Sequence, residues 1–149
     1  MFNFIFRRRL KNRRHSEAGF SLIELLVVMM VIAIITSIAL PNFSSIQTKA
    51  KETNLKSLAH SIQLGVESYF VNQGSYPTGT DLGLPALVTK LSEAGAFGAT
   101  PKNPFTGKAY TEADTSGKIT YSFDTTAQTY KILVYGTGNT LVIATLENK

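Results

Sequence analysis

The most apolar part of the chain lies near its start. Residues 20–40 form a run of 21 residues in which only Ser21, Glu24, Thr36 and Ser37 are polar or charged. At about 1.5 Å per residue, a helix of this length spans roughly 30 Å, the thickness of a bilayer core. A buried core helix is the alternative, but the chain has too little other apolar sequence to surround a helix that is hydrophobic on every side. The pattern therefore predicts a transmembrane helix.

A second helical pattern continues beyond this run. Apolar residues recur at spacings of three and four between Leu55 and Phe70, with charged residues between them. This pattern is typical of an amphipathic helix packed against a core, and the helix is expected to end near residues 72–74. Pro41 removes a backbone donor and clashes with the preceding turn, so we expect a kink or a short unwound stretch near residues 37–42.

The remainder of the chain has the composition of a small sheet region. The sequence predicts a turn at residues 76–79 and a short helix at residues 85–94. Residues 119–123, 130–135 and 141–146 alternate apolar with polar residues or are rich in β-branched and aromatic residues, which is typical of strands. The expected fold class is α+β: a long N-terminal helix, half transmembrane and half amphipathic, packed on a three- to four-stranded antiparallel sheet.

The net charge of +5 is concentrated at the N-terminus. Six basic residues precede the apolar run: Arg7, Arg8, Arg9, Lys11, Arg13 and Arg14. From residue 20 onward, lysines and acidic residues are equal in number and there is no arginine. A nucleic-acid surface on the body is therefore disfavoured, because phosphate binding draws on clustered basic residues. By the positive-inside rule, the basic patch lies in the cytoplasm and the body outside.

Several classes of enzyme are excluded or disfavoured. The chain has no cysteine, which excludes a disulfide framework, cysteine-ligated zinc and thiol catalysis. Its two histidines, His15 and His60, are far apart in sequence, and no GxSxG, HExxH, P-loop or GxGxxG spacing occurs. We therefore expect no catalytic site and no cofactor.

The segment Gly19-Phe20-Ser21-Leu22-Ile23-Glu24-Leu25 resembles the prepilin-peptidase recognition segment of type IV pilins and type II secretion pseudopilins. It follows a basic leader and precedes an apolar run that ends at Pro41, as in that family. The resemblance covers about residues 13–45. A secretory signal peptide would instead carry its small-residue cleavage site after the apolar stretch.

The resemblance implies a processing step and an assembly. It implies cleavage between Gly19 and Phe20 on the cytoplasmic face, N-methylation of Phe20 by a prepilin peptidase and methyltransferase, and polymerisation with further copies at an inner-membrane assembly platform. A carboxylate inside an apolar helix needs a partner. Glu24 is therefore expected to pair with the Phe20 amine of a neighbouring subunit, although a glutamate that reaches the headgroups is the alternative.

A calcium site is a weaker hypothesis. Glu112, Asp114 and Asp124, with Ser116, supply oxygen donors of the kind that calcium accepts. Turns also prefer Asp and Ser, so the same residues are explained without an ion, and this second interpretation is preferred.

The expected organisation is a cleaved leader (1–19), a transmembrane or filament-core helix half (20–42), an amphipathic helix half (43–74) and a globular region (75–149). The expected function is that of a major subunit of a type IV pilus or related filament. The subunit would be a single-pass protein of the cytoplasmic membrane before assembly and part of an extracellular or periplasmic filament afterwards. A major pseudopilin of a secretion or competence system is the alternative within the family. A membrane-anchored extracytoplasmic binding module that never polymerises is the alternative from another class.

Overall fold

The computed structural model of the protein describes residues 19–98 and 100–148, and the chain divides between Leu40 and Pro41 into two units. The elements in chain order are helix α1 (Leu22–Gln73), strand β1 (Leu82–Gly83), helix α2 (Leu84–Glu93), strands β2 (Ile119–Asp124) and β3 (Thr129–Tyr135), a 3₁₀ turn (Thr137–Asn139) and strand β4 (Val142–Glu147). The basic leader lies outside the described residues. The predicted α+β class is confirmed.

The first unit contains the apolar part of α1. The segment Leu22–Ala39 is long and apolar enough to cross a membrane, with a mean hydropathy of 2.7, and none of it is buried within the protein. Its hydroxyl groups are satisfied inside the helix, because Thr36 Oγ1 donates to Ile32 O (2.8 Å) and Ser37 Oγ to Ile34 O (2.7 Å). Among the described residues, no other part of the chain buries this apolar helix surface.

The second unit is built on the later part of α1. Leu55, Ala59, Ile62 and Val66 are all fully buried, and their spacing of four, three and four residues places them on one helix face. That face belongs to the same core as the buried residues of α2 and of strands β2 and β3. The amphipathic pattern therefore marks the side of α1 that packs on the sheet, as predicted.

The sheet has four antiparallel strands in the order β1-β2-β3-β4. Strand β1 has two residues, too few for a sequence pattern to reveal. The helix between residues 85 and 94 was predicted within one residue of α2, which has Pro85 in its first turn. Likewise α1 ends at Gln73, where Gly74 takes a positive φ of 71° that favours glycine.

A carboxylate and two tyrosines tie α1 to the sheet. Glu67 of α1 accepts hydrogen bonds from the hydroxyl of Tyr130 in β3 (2.6 Å) and from the hydroxyl of Tyr76 (3.1 Å). The Tyr76 ring contacts both Phe70 (centroids 4.5 Å apart) and Tyr130 (5.0 Å). Burial raises the pKa of both tyrosines, and the bond to Glu67 raises it further, so both hydroxyls stay protonated as donors.

Hydrogen bonds close the C-terminal part of the sheet. Asn148 accepts a bond from the backbone N–H of Tyr130 (2.6 Å) and donates to the carbonyl of Gln128 (3.2 Å), so the end of β4 is held against the start of β3.

Candidate functional site

The start of α1 is a capping box. Ser21 precedes the helix, its Oγ accepts a bond from the N–H of Ile23 (3.2 Å), and its own N–H donates to Oε2 of Glu24 (2.9 Å). These two reciprocal bonds satisfy backbone donors that the first turn of a helix otherwise leaves unpaired. Sequence analysis missed this role, although the signal, Ser-x-x-Glu before an apolar run, is present in the chain.

The capping box gives Glu24 a partner within its own chain. Only one carboxylate oxygen is used, because among the described residues no hydrogen bond reaches Oε1. Glu24 is also the only charged residue between positions 20 and 40. The box therefore fixes the carboxylate at the helix start and leaves one oxygen free to accept a donor from elsewhere.

The bond between Gly19 and Phe20 lies before the helix begins. Both residues are exposed, and the Phe20 side chain keeps 88% of its surface. A Cβ added to Gly19 would meet no described atom within 4 Å. Among the described residues, no packing contact therefore requires glycine at this position.

The apolar surface around Glu24 is concave. Phe20, Ile23, Glu24, Val27 and Val28 line a shallow groove of about 360 Å³ on one side of the helix start. Four of these five side chains are apolar, so the groove suits another apolar surface, and Glu24 supplies its one charge.

Pro41, which is predicted to kink the helix, lies inside α1, and α1 is helical from Leu22 to Gln73. The kink itself stays a prediction.

The three calcium candidates are not brought together. Asp114 accepts hydrogen bonds from Asn103 Nδ2 and from the N–H and hydroxyl of Thr111, whereas Asp124 accepts the N–H groups of the β2–β3 turn. Asp114 precedes β2 and Asp124 ends it, and six residues of strand span about 20 Å. Within residues 19–98 and 100–148, no group of three or more His, Cys, Asp or Glu side chains could hold a metal ion.

Glu112 has a different environment. Its carboxylate lies against Gly83, immediately before α2 begins, so that a Cβ at Gly83 would collide with it. The positive end of a helix dipole favours a carboxylate at this place. Each of the three acids therefore has a structural role.

A second exposed apolar surface lies on the soluble part of α1. Leu64 and Val71 keep 71% and 80% of their surface, and they lie on the side of the helix away from Leu55, Ile62 and Val66. Their spacing of seven residues places both on one face, which we call the outer face of α1. Sequence analysis missed it, because the core-facing apolar residues dominate the pattern.

Comparison with known proteins matches the same N-terminal region. Residues 14–40 match the family model described as the prokaryotic N-terminal methylation motif. The chain is 35% identical over 80 residues to the type II secretion system core protein G of Klebsiella michiganensis, covering 54% of this chain and 56% of that protein. It is 30% identical over 101 residues to the protein of the same name from Vibrio cholerae, covering 62% of this chain and 68% of that protein.

A pilin is also among the similar proteins. The type IV major pilin protein PilA of Myxococcus xanthus is 34% identical over 58 residues, which cover 39% of this chain and 26% of the pilin. The chain thus spans little more than half of the Klebsiella protein and a quarter of the pilin. The comparison with solved structures gives no significant match.

Proposed function

Because this chain belongs to the pilin and pseudopilin family that includes the type II secretion system core protein G, we propose that it is the repeating structural subunit of a helical filament. The role is mechanical: storage in the membrane, followed by extraction and packing of apolar helices around a common axis. The names of the relatives, a secretion-system core protein and a major pilin, describe no enzymatic activity.

The observation that carries this proposal is the apolar part of α1. All of its described side chains are exposed, and it presents one charge, Glu24, with one carboxylate oxygen unused. Lipid alone would cover the apolar side chains. Its hydrocarbon offers no partner for the carboxylate, whose cost rises to about 2.5–3.5 kcal/mol at the bilayer centre. A neighbouring copy would cover both.

The proposed processing step supplies the missing partner. Cleavage after Gly19 converts the backbone amide of Phe20 into a terminal amine, and N-methylation keeps it positively charged. Phe20 lines the same groove as Glu24, so a subunit shifted along the axis can present its Phe20 amine to a neighbour's Oε1. The bond from Ser21 N–H holds the carboxylate in place for this contact, since it occupies only Oε2.

The outer face of α1 extends the contact between copies beyond the membrane segment. In a monomer, Leu64 and Val71 would face water on the soluble half of the helix, where amphipathic helices normally carry polar residues. A filament that packs helices side by side buries this face. Screw-related contacts of this kind join one patch of a subunit to a different patch of its neighbour. Such contacts produce an open polymer.

Two kinds of filament fit the proposal. A surface pilus for adhesion, motility or DNA uptake is the first. A secretion pseudopilus is the second, and a specific observation favours it: the matches to the core protein G of Klebsiella michiganensis and Vibrio cholerae extend over 80 and 101 residues, whereas the match to the pilin extends over 58.

Electron microscopy tests the proposal. Cells should be sheared, and both the sheared fraction and the contents released from the cell envelope probed with an antibody against residues 75–149. Labelled filaments in the sheared fraction would assign a surface pilus, and labelled filaments released only from the envelope would assign a pseudopilus. Recovery of the chain solely as a membrane-bound monomer would refute the filament and support the membrane-anchored binding module.

A matched pair of variants tests the outer face. Leu64 and Leu141 are similarly exposed, at 71% and 67%, but Leu141 lies before β4 and outside the outer face. We expect Leu64→Glu to abolish filaments without unfolding the second unit, and Leu141→Glu to leave filaments unchanged. Filaments of normal yield from Leu64→Glu would refute this use of the outer face.

A further inference from the structure

The helix surface that follows the apolar run combines exposed apolar side chains with an exposed basic one. Phe43 and Ile46 each keep 60% of their surface, and Lys49 is exposed one turn later. We call these three residues the surface anchor. Aromatic and aliphatic side chains followed by a basic residue are the composition that favours the boundary between hydrocarbon and headgroups.

Among residues 19–98 and 100–148, no acidic side chain compensates the charge of Lys49. None of the described acidic side chains forms a salt bridge with it, and the nearest acid in sequence, Glu52, has its carboxylate beside Gly136 of the β3–β4 turn. Lys51, by contrast, has its ammonium 5.8 Å from the centre of the Phe105 ring. With Lys56, the residues between 49 and 56 carry three lysines and one glutamate, which leaves the outward surface positive.

The chain itself limits how far the surface anchor can lie from the membrane. Phe43 is three residues and Lys49 nine residues beyond Leu40, so the length of the chain holds both near the end of the apolar run. The headgroup region occupies about 5 to 8 Å on each side of the hydrocarbon core. A lysine has a long flexible stem, so its ammonium can reach back to the headgroups when its Cα lies beyond them.

We propose that Phe43, Ile46 and Lys49 form a membrane-surface site that binds the anionic phosphate headgroups of the outer leaflet while the subunit is stored before assembly. Phe43 and Ile46 enter the interfacial layer and Lys49 pairs with lipid phosphate. The inference rests on the proposed membrane storage. It adds that the soluble half of α1 has its own lipid contact, which extraction of the subunit must break.

Lys56 is the matched control that the chain provides. It is exposed, carries the same charge and lies seven residues after Lys49 on the same helix face. The additional seven residues amount to about 10 Å of helix, which is roughly one Debye length at 0.1 M salt. Direct headgroup binding therefore predicts a much larger effect of Lys49→Gln than of Lys56→Gln.

The absence of tryptophan allows a direct measurement on the full chain. Phe43→Trp places the only tryptophan in the surface anchor. The protein is reconstituted in vesicles of pure phosphatidylcholine and in vesicles with about a third phosphatidylglycerol. Quenching of its fluorescence by headgroup-labelled lipid then reports contact with the membrane surface. Met30→Trp, probed by acyl-chain-labelled lipid, reports whether the apolar run is in the bilayer.

We expect phosphatidylglycerol to increase quenching of the residue-43 tryptophan. Lys49→Gln should remove most of that increase, about fivefold in the apparent affinity for anionic lipid, and Lys56→Gln little of it. Salt of about 1 M should also remove it, since screening then acts within about 3 Å.

The proposal would be overturned if phosphatidylglycerol did not change the quenching, or if quenching fell equally in Lys49→Gln and Lys56→Gln. Loss of filaments in Lys49→Gln without any change in quenching would also overturn it, because it would assign Lys49 to a contact between copies. Failure of the membrane storage itself is distinguishable. In that case, the Met30→Trp fluorescence would not be quenched by acyl-chain-labelled lipid.

Discussion

Replacing Glu24 by glutamine, and separately by alanine, distinguishes the two roles that the structure and the proposed assembly give this residue. The carboxylate caps α1 through its bond to the Ser21 N–H, and it is proposed to pair with a neighbour's Phe20 amine. Glutamine keeps an oxygen that can accept the capping bond, because Glu and Gln serve equally in a capping box, but it has no charge. Alanine removes both the cap and the charge.

The two losses differ in size. Loss of a helix cap costs about 1 kcal/mol, which frays the first turn of a helix of 52 residues without unfolding it. Loss of one partner from a buried ion pair costs about 3–5 kcal/mol, because the remaining amine stays buried without compensation. At about 1.4 kcal/mol per factor of ten, the second loss weakens each subunit addition by roughly two to three and a half orders of magnitude.

The expected result is therefore that Glu24→Gln and Glu24→Ala both fail to form filaments, although both reach the membrane at normal or higher levels. Insertion should be no worse, since each substitution removes an unfavourable charge from the apolar helix. The assay compares the chain in the membrane fraction, processing at Phe20 and filaments in the sheared or released fraction.

Ser21→Ala is the control for capping. It removes the acceptor for the Ile23 N–H but leaves the Glu24 charge in place, so filaments should form with at most a modest loss. Normal filaments from fully processed Glu24→Gln would refute the pairing. Filaments lost in Glu24→Ala and Ser21→Ala but kept in Glu24→Gln would assign the role of Glu24 to the cap.

Three further predictions concern the second unit. Tyr130→Phe should lower the free energy of unfolding by about 1.5–3 kcal/mol in a denaturant titration, because it removes a hydrogen bond to the carboxylate of Glu67. Tyr121→Phe, which removes a buried hydroxyl with no described partner, should cost far less, and an equal cost would contradict this. Burial alone would raise the pKa of Asp114, but its hydrogen bonds lower it overall. Its contribution should therefore be present above about pH 4 and be lost as the pH falls through the lowered pKa, a dependence that Asp114→Asn should reduce in acid unfolding curves. A fragment that starts near Thr48 should be a soluble, folded monomer by circular dichroism and cooperative melting, because the amphipathic part of α1 and the sheet form their own core, and aggregation would contradict this.

Local signals in the sequence were sufficient for most of the fold. The end of α1 at Gln73 was predictable because Gly74 can adopt a positive φ at no steric cost. The start of α2 was predictable because Pro85 suits the first turn of a helix. Strands β2 and β3 were predictable because their apolar residues alternate or are β-branched.

Features that depend on distant residues were not predictable. Strand β1 has two residues and exists only because Leu82 pairs with Tyr121, 39 positions away. The bond between Glu67 and Tyr130 joins residues 63 positions apart, and no local pattern indicates it.

The candidate site was partly predictable. The processing segment was recognisable from its own residues and from the family resemblance. The capping box was predictable from the Ser-x-x-Glu spacing of Ser21 and Glu24. The outer face of α1 needed the structure, because exposure of Leu64 becomes evident only when the sheet is seen to cover the opposite side.

We propose that this chain is cut between Gly19 and Phe20 and that the product is the repeating unit of a polymer. Intact-mass measurement on purified filaments tests this directly. We expect a single species of 130 residues that begins at N-methylated Phe20, which is the 149-residue chain without its first 19 residues. A species in the assembled polymer that retains the basic residues between Arg7 and Arg14 would contradict it.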